Sequence, residues 1–441
     1  MQTDTKPFGL LSGIGMVVAN MIGAGIFLTT GFMAQDLSPV DIMLAWAIGG
    51  MLALCGVRAY SAVAVLVPQS GGEYRFLSTL LHGSLGYLAG WISFFVGFSA
   101  PMAIDALAVG AFAQILHFPV QPRVTASLLI IALTVAHGRR LKASVLTQNF
   151  LVALKVFLLL FFVVIGLSLG SWEWPTWMPP EANAESRTQA FITSLFFVMF
   201  TFSGWNAAVY AAGEFRDPRR DVPRAMLIGC ISVTVLYLLL NWIFITNVTP
   251  DESRVVFEYE STRITLAHLV VAHIAGPLAG SVMSGAMIVV LSSALSALML
   301  LGGRVCAAMA QDGYFPGIAA GDAGRQPQLG VIALSSFALM LVWSHHLKDI
   351  LQNVGVILTI PTALVALSLF RVAFDRRFSV QPTVVDLIAA GLYVIGTGIM
   401  LYFGVAASTS MLLWVGGLAI VSLGFYLLRK RGPDNDHSQR I

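Results

Sequence analysis

Long apolar runs separated by short polar segments dominate the 441-residue chain. Runs of spanning length fall at about 8–33, 41–67, 86–116, 123–138, 147–169, 190–213, 224–247, 275–308, 328–345, 350–372, 383–406 and 410–428. Their apolar character is continuous. Barrel strands would instead alternate in polarity over about 10 residues. Helices also satisfy their own backbone in lipid. The pattern therefore predicts an all-α membrane protein with twelve transmembrane helices.

Composition narrows the class. Hydrophobic residues make up 57% of the chain and charged residues 11%, against roughly 25% charged in ordinary soluble domains. Such a chain has too little charge for a polar shell, which excludes a soluble enzyme, a disordered chain and a nucleic-acid binder. One transporter-sized unit is expected over 1–430, with a polar tail at 431–441. Lys and Arg set the orientation. With the N-terminus cytoplasmic, about 18 of them fall in inner segments and 5 in outer ones. Both termini are therefore expected on the cytoplasmic side of the cytoplasmic membrane. The opening MQTDTKPFGLLSG lacks a charged n-region, so the first run is expected to be a retained span. Cys55, Cys230 and Cys306 sit in apolar runs, and their spacing suggests neither a disulfide framework nor a metal site. No cofactor is expected.

Two runs carry interruptions. The first, GIGMVVANMIGAGIF, holds Gly13, Gly15, Gly23 and Gly25, with Gly31 just beyond. Gly13 and Gly15 are also explained by close helix packing. The Gly23–Gly25 cluster fits an unwound segment, which membranes tolerate only around a cavity. The second, Phe200–Asn206 (FTFSGWN), places Ser203 and Gly204 in the middle of the sixth run, followed by Trp205 and Asn206. An interhelical hydrogen bond is the plainer reading of Asn206. Paired interruptions opening each five-helix half point to an inverted-repeat transporter. The halves lie at about 8–170 and 190–372, with extra helices at about 383–428. Half-helix N-termini suit a carboxylate and unwound carbonyls suit an ammonium, and an α-amino acid carries both groups.

Lys155 lies inside the fifth run, where an ammonium must find acceptors. Carbonyls near Gly23 and Ala24, or hydroxyls of Ser292, Ser293 and Ser296, are expected to supply them. Lys155 then acts as a fixed cation or simply ties helices together. Asp105 and Arg58 are further intramembrane ions. Each is expected to snorkel to an interface, with Asp105 alternatively pairing with a cationic substrate or holding a proton.

These residues resemble the amino acid–polyamine–organocation transporters, and within them the L-type amino-acid transporters and their bacterial relatives. Ile22-Gly23-Ala24-Gly25-Ile26-Phe27 resembles the IG(S/T)GIF motif. Gly204-Trp205-Asn206 with Gly213–Ala225, Pro68–Tyr74, and Gly303-Arg304 with Asp312–Pro316 resemble further family segments in the family order. The resemblance implies a LeuT-like fold, a 5+5 inverted repeat with two extra C-terminal helices. It implies substrate contacts at Ile22, Gly23, Ala24, Gly25 and Ile26, faced by Phe200, Phe202, Ser203, Gly204, Trp205 and Asn206. Phe200 matches an aromatic gate and Lys155 a lysine that stands in for sodium. Ala24 stands where Ser or Thr is usual, and Gly213-Glu214 where two glutamates are usual. No cysteine falls in an outer loop, so no disulfide-linked partner subunit is expected.

The expected function is sodium-independent secondary transport of L-amino acids, neutral ones by the aromatic lining, by alternating access with exchange or proton coupling. A permease for cationic amino acids or polyamines is the alternative, resting on Asp105. An integral membrane enzyme lacks a nucleophile–base or metal constellation, and a channel lacks a pore loop.

Overall fold

The structure is a computed structural model describing residues 8–137, 141–179, 184–315, 328–375 and 380–407, with Phe378 and scattered positions between 416 and 427. It is built from helices. In chain order these are α1 (Leu10–Met21), α2 (Gly25–Ala34), α3 (Pro39–Leu66), α4 (Glu73–Leu80), α5 (Gly83–Ile92), α6 (Ala100–Ile115), α7 (Pro122–His137), α8 (Leu141–Leu169), α9 (Ala184–Phe202) and α10 (Ala207–Tyr210). There follow α11 (Pro218–Thr246), α12 (Pro250–Glu258), α13 (Glu260–Ile264), α14 (Leu266–Ala275), α15 (Pro277–Gln311), α16 (Gln328–Ser344), α17 (Leu347–Phe374) and α18 (Val384–Ala407).

Among the described residues, eight helical segments are long and apolar enough to cross a membrane. The runs expected at 123–138, 190–213 and 328–345 correspond to shorter apolar helices, Pro122–His137, Arg187–Phe202 and Gln328–Ser344. The run at 410–428, apart from scattered positions, and the tail at 431–441 lie outside the described residues. The stretch between α11 and α15, left as a connection by the apolar pattern, folds into α12, α13 and α14. Large apolar side chains such as Phe157, Leu160 and Ile395 are exposed, as helices facing hydrocarbon require.

Local chemistry sets the boundaries. Pro39 opens α3, and Ser38 Oγ accepts the Asp41 N–H at 3.3 Å. Pro218 opens α11 after Asp217, whose carboxylate accepts the Arg220 N–H at 3.3 Å. Thr249 and Glu252 close a capping box on α12. Between α5 and α6 the helix widens into a π segment, Ser93–Ser99. Pro101 explains it, since proline has no N–H for the carbonyl four residues back and its ring crowds that carbonyl. Helix α11 packs on α3 and α1, and α15 on α6. Thr30 donates to Asn241, and Asn241 donates to the Tyr237 carbonyl at 2.7 Å, which ties α2 to α11.

Candidate functional site

The chain breaks between α1 and α2. Ile22 turns extended, at φ −81° and ψ 95°, and frees backbone groups deep in the bundle. Side chains from three other helices meet them. Lys155 of α8 is fully buried and donates to the carbonyls of Ala19 at 2.8 Å and Ile22 at 2.6 Å. Tyr237 of α11 donates to the Met21 carbonyl at 2.6 Å. Asp105 of α6 accepts the Ala24 N–H at 2.8 Å. A cation thus holds the carbonyl end of the break and an anion holds the N–H end. This matches the sign of the two half-helix dipoles.

The second break separates α9 from α10. Gly204 adopts φ +101°, a conformation costly for any residue with a Cβ. The Ser203 N–H bonds back to the Phe200 carbonyl at 2.9 Å, and Ala207 to Gly204 at 3.0 Å. The two breaks touch. A Cβ on Gly204 would lie 2.9 Å from the Asn20 carbonyl, and one on Gly25 would lie 2.6 Å from Thr201 Oγ1.

Between them opens a cavity with roughly 1100 Å³ of empty space, its mouth included. Gly23, Ala24, Gly25, Phe200, Ser203, Gly204, Trp205 and Asn206 line it, so eight of the residues singled out from the two motifs share one wall. Asp105 lines it too. Its ionisable lining is Glu73, Asp105, Tyr210 and Tyr393, with no Lys, Arg or His among the described residues. Asn206 donates to Glu73 and to Tyr210 at 3.2 Å. Tyr210 donates to Glu73 Oε2 at 2.7 Å and Tyr60 to Oε1 at 3.3 Å. Burial pushes the Glu73 carboxyl above its ordinary range, and the hydrogen bonds from Tyr210, Asn206 and Tyr60 pull partly against it.

Other expected residues sit elsewhere. Ile22 and Ile26 are buried but outside the cavity lining. Phe202 is likewise behind the wall, 6.0 Å from the Trp46 ring and 5.2 Å from that of Tyr237. The serines of α15 do not serve Lys155 as expected. Its acceptors are the two carbonyls, while Ser296 pairs with His137 at 2.9 Å and Ser292 and Ser293 lie outside the cavity lining. A lysine beside a broken helix finds acceptors in the unpaired carbonyls, which would otherwise be left buried without a donor. Asp105 does not snorkel. It is 3% exposed and faces the cavity, because the free Ala24 N–H attracts it inward. Arg58 ion-pairs with Asp386 of α18 at 2.7 Å. The Glu73–Tyr210–Tyr60 cluster was not legible as a site. Glu73 lies within the Gly-rich loop segment, and only the fold tucks α4 beneath α10.

The amino acid permease family model matches residues 8–415. The chain belongs to this family. It is similar to the large neutral amino acids transporter small subunit 2 of Homo sapiens, 27% identical over 259 residues, 56% of this chain and 48% of that protein. It is similar to the b(0,+)-type amino acid transporter 1 of Mus musculus, 27% identical over 255 residues, 56% of this chain and 52% of that one. The Asc-type amino acid transporter 1 of Mus musculus is 23% identical over 447 residues, 96% of this chain and 81% of that one. The matched chain thus spans about half the length of the first two relatives. The apolar helices and these transporter relatives make it a multi-pass membrane protein of a transporter family.

Proposed function

We propose that the protein is a sodium-independent secondary transporter of L-amino acids, neutral ones in the first place, working by alternating access. The observation that carries the reading is the pair of helix breaks sharing one cavity. Backbone N–H groups of α2 offer a site for a substrate carboxylate, and the freed backbone near Gly204 one for its ammonium. Phe98, Phe200 and Trp205 suit an apolar side chain. Lys155, locked on two carbonyls, fills the place of a bound cation, which is why sodium is not required. The twelve-helix architecture belongs to the same proposal, with repeats at 8–170 and 190–372, two further helices and cytoplasmic termini in the cytoplasmic membrane. So does action without a disulfide-linked partner subunit.

A second reading, cationic amino acids or polyamines, is favoured by the acidic lining of Glu73 and Asp105. Counterflow in proteoliposomes tests both. Vesicles loaded with unlabelled amino acids are expected to take up labelled neutral L-amino acids saturably. Entry confined to arginine, ornithine or diamines would move the assignment to the second reading. No entry of any amino acid or amine would overturn the transport proposal.

A further inference from the structure

The site places a carboxylate of the protein where a carboxylate of the substrate should go. Asp105 Oδ1 accepts the Ala24 N–H at 2.8 Å, at the positive end of α2. The next N–H group of that first turn, on Gly25, takes no backbone partner among the described residues, and Gly25 lines the cavity. It remains for an incoming carboxylate, immediately beside Asp105. Asp105 is 3% exposed and lines the cavity, and its Oδ2 accepts no hydrogen bond from any described residue. An ionised Asp105 and a substrate carboxylate in one turn would be two like charges in a site without a basic lining residue. We propose that Asp105 is the proton site of this carrier: an amino-acid carboxylate enters the α2 N-terminus only together with a proton on Asp105. The inference rests on the amino-acid transport reading above and adds its coupling.

The step is a single protonation. One proton from the aqueous side of the cavity adds to Oδ2, and Oδ1 keeps the Ala24 N–H. The neutral carboxyl then donates Oδ2–H to the substrate carboxylate, which also accepts from Gly25. Release on the other side reverses both events. Lys155 is the alternative titrating group, but it is fully buried behind the break, holds two carbonyls and does not line the cavity. The ionisable groups around Asp105 are Lys155 from α8, Tyr237 from α11, and Glu73, Tyr210 and Tyr393 across the cavity. The residues that α15 and α17 add to the lining, such as Leu298 and Thr359, are not ionisable. Glu73 already accepts from three donors, which leaves Asp105 as the carboxylate with an uncommitted oxygen.

Two measurements test this. Purified wild-type protein in weak buffer, mixed with an amino acid that shows counterflow, is expected to take up about one proton per substrate bound at a pH where Asp105 is ionised, by the reciprocity of linked binding. Its apparent affinity is expected to weaken by up to about tenfold per pH unit on the alkaline limb. In Asp105→Asn the amide oxygen still accepts from Ala24 but no proton can be carried. Counterflow by this variant is expected to be flat with pH, and accumulation driven by an inward proton gradient to be lost. Substrate binding by wild type without proton uptake overturns the proposal and leaves the transport reading standing, and needs no variant to fold. Gradient-driven accumulation by Asp105→Asn overturns it equally. Entry only of amines without a carboxylate would make Asp105 a substrate ligand and remove both.

Discussion

At the scale of single residues, the site depends on backbone groups released from helices and on the few side chains that meet them. Gly25 and Gly204 are needed because each break presses its backbone against the other. Valine at Gly25 would collide with Thr201, and at Gly204 it would force a branched side chain into φ +101°. Such overpacking or backbone strain costs about 1–3 kcal/mol. That is too little to prevent membrane insertion but enough to spoil the touching breaks. Gly25→Val and Gly204→Val are therefore expected to reach the membrane at normal abundance and lose uptake. Normal uptake by both would remove the breaks from the binding site. Lys155→Ala would leave the Ala19 and Ile22 carbonyls without their donor, at about 1–3 kcal/mol for each buried group left unpaired. Loss of transport with a lowered melting temperature in detergent is the expected outcome. Full transport by Lys155→Ala would show that the fixed cation is dispensable.

At the scale of elements, ion pairs join the loops at one end of the bundle. Arg75 of α4 pairs with Asp312, just past α15, at 2.6 Å, and Tyr74 donates to the same carboxylate at 2.9 Å. Arg304 of α15 approaches Glu214 at 3.6 Å, and the Gly213 N–H bonds to Ser70 Oγ at 2.9 Å. These contacts lie on the side of the cavity marked by Glu73 and Tyr210, where the proposed alternating-access cycle would need a gate. A partly exposed pair contributes at most about 1 kcal/mol, weak enough to open in the proposed cycle. Arg75→Asp and Asp312→Arg are each expected to slow uptake several-fold, and the double swap to recover most of it. Failure of the swap to recover would mean that Arg75 and Asp312 act separately rather than as a latch. Glycine, proline and loop motifs made these segments visible in the chain, but their mutual contacts came from the fold.

At the scale of the whole molecule, the pattern of apolar runs located nearly every long helix, from α1 to α18. Both interruptions, at Gly23–Gly25 and Ser203–Gly204, fall where the helices break. A carrier that contains its own fixed cation is expected to exchange amino acids equally well in sodium and in choline media. A sodium-stimulated rate in counterflow would contradict the role given to Lys155. The three short helices α12–α14 escaped the pattern. They are too short to read as spans, and α12 owes its start to the Thr249–Glu252 capping box instead.

The sequence by itself determined the helical membrane class, the position of the two breaks and the presence of Lys155, Asp105 and Arg58 within apolar runs. Each of these follows from local physics: the length needed to cross hydrocarbon, the helix penalty of glycine and the cost of a charge in lipid. The tertiary structure decided which groups those charges meet. Lys155 lies 136 residues from Ala19 in the chain, and Asp105 lies 81 from Ala24. No local pattern connects positions so far apart. Packing brought the ammonium to the carbonyl side of the break and the carboxylate to the N–H side. The same packing drew Glu73 under Asn206 and set Ser296 of α15 against His137, because buried polar groups are satisfied by whichever partners the fold brings within reach.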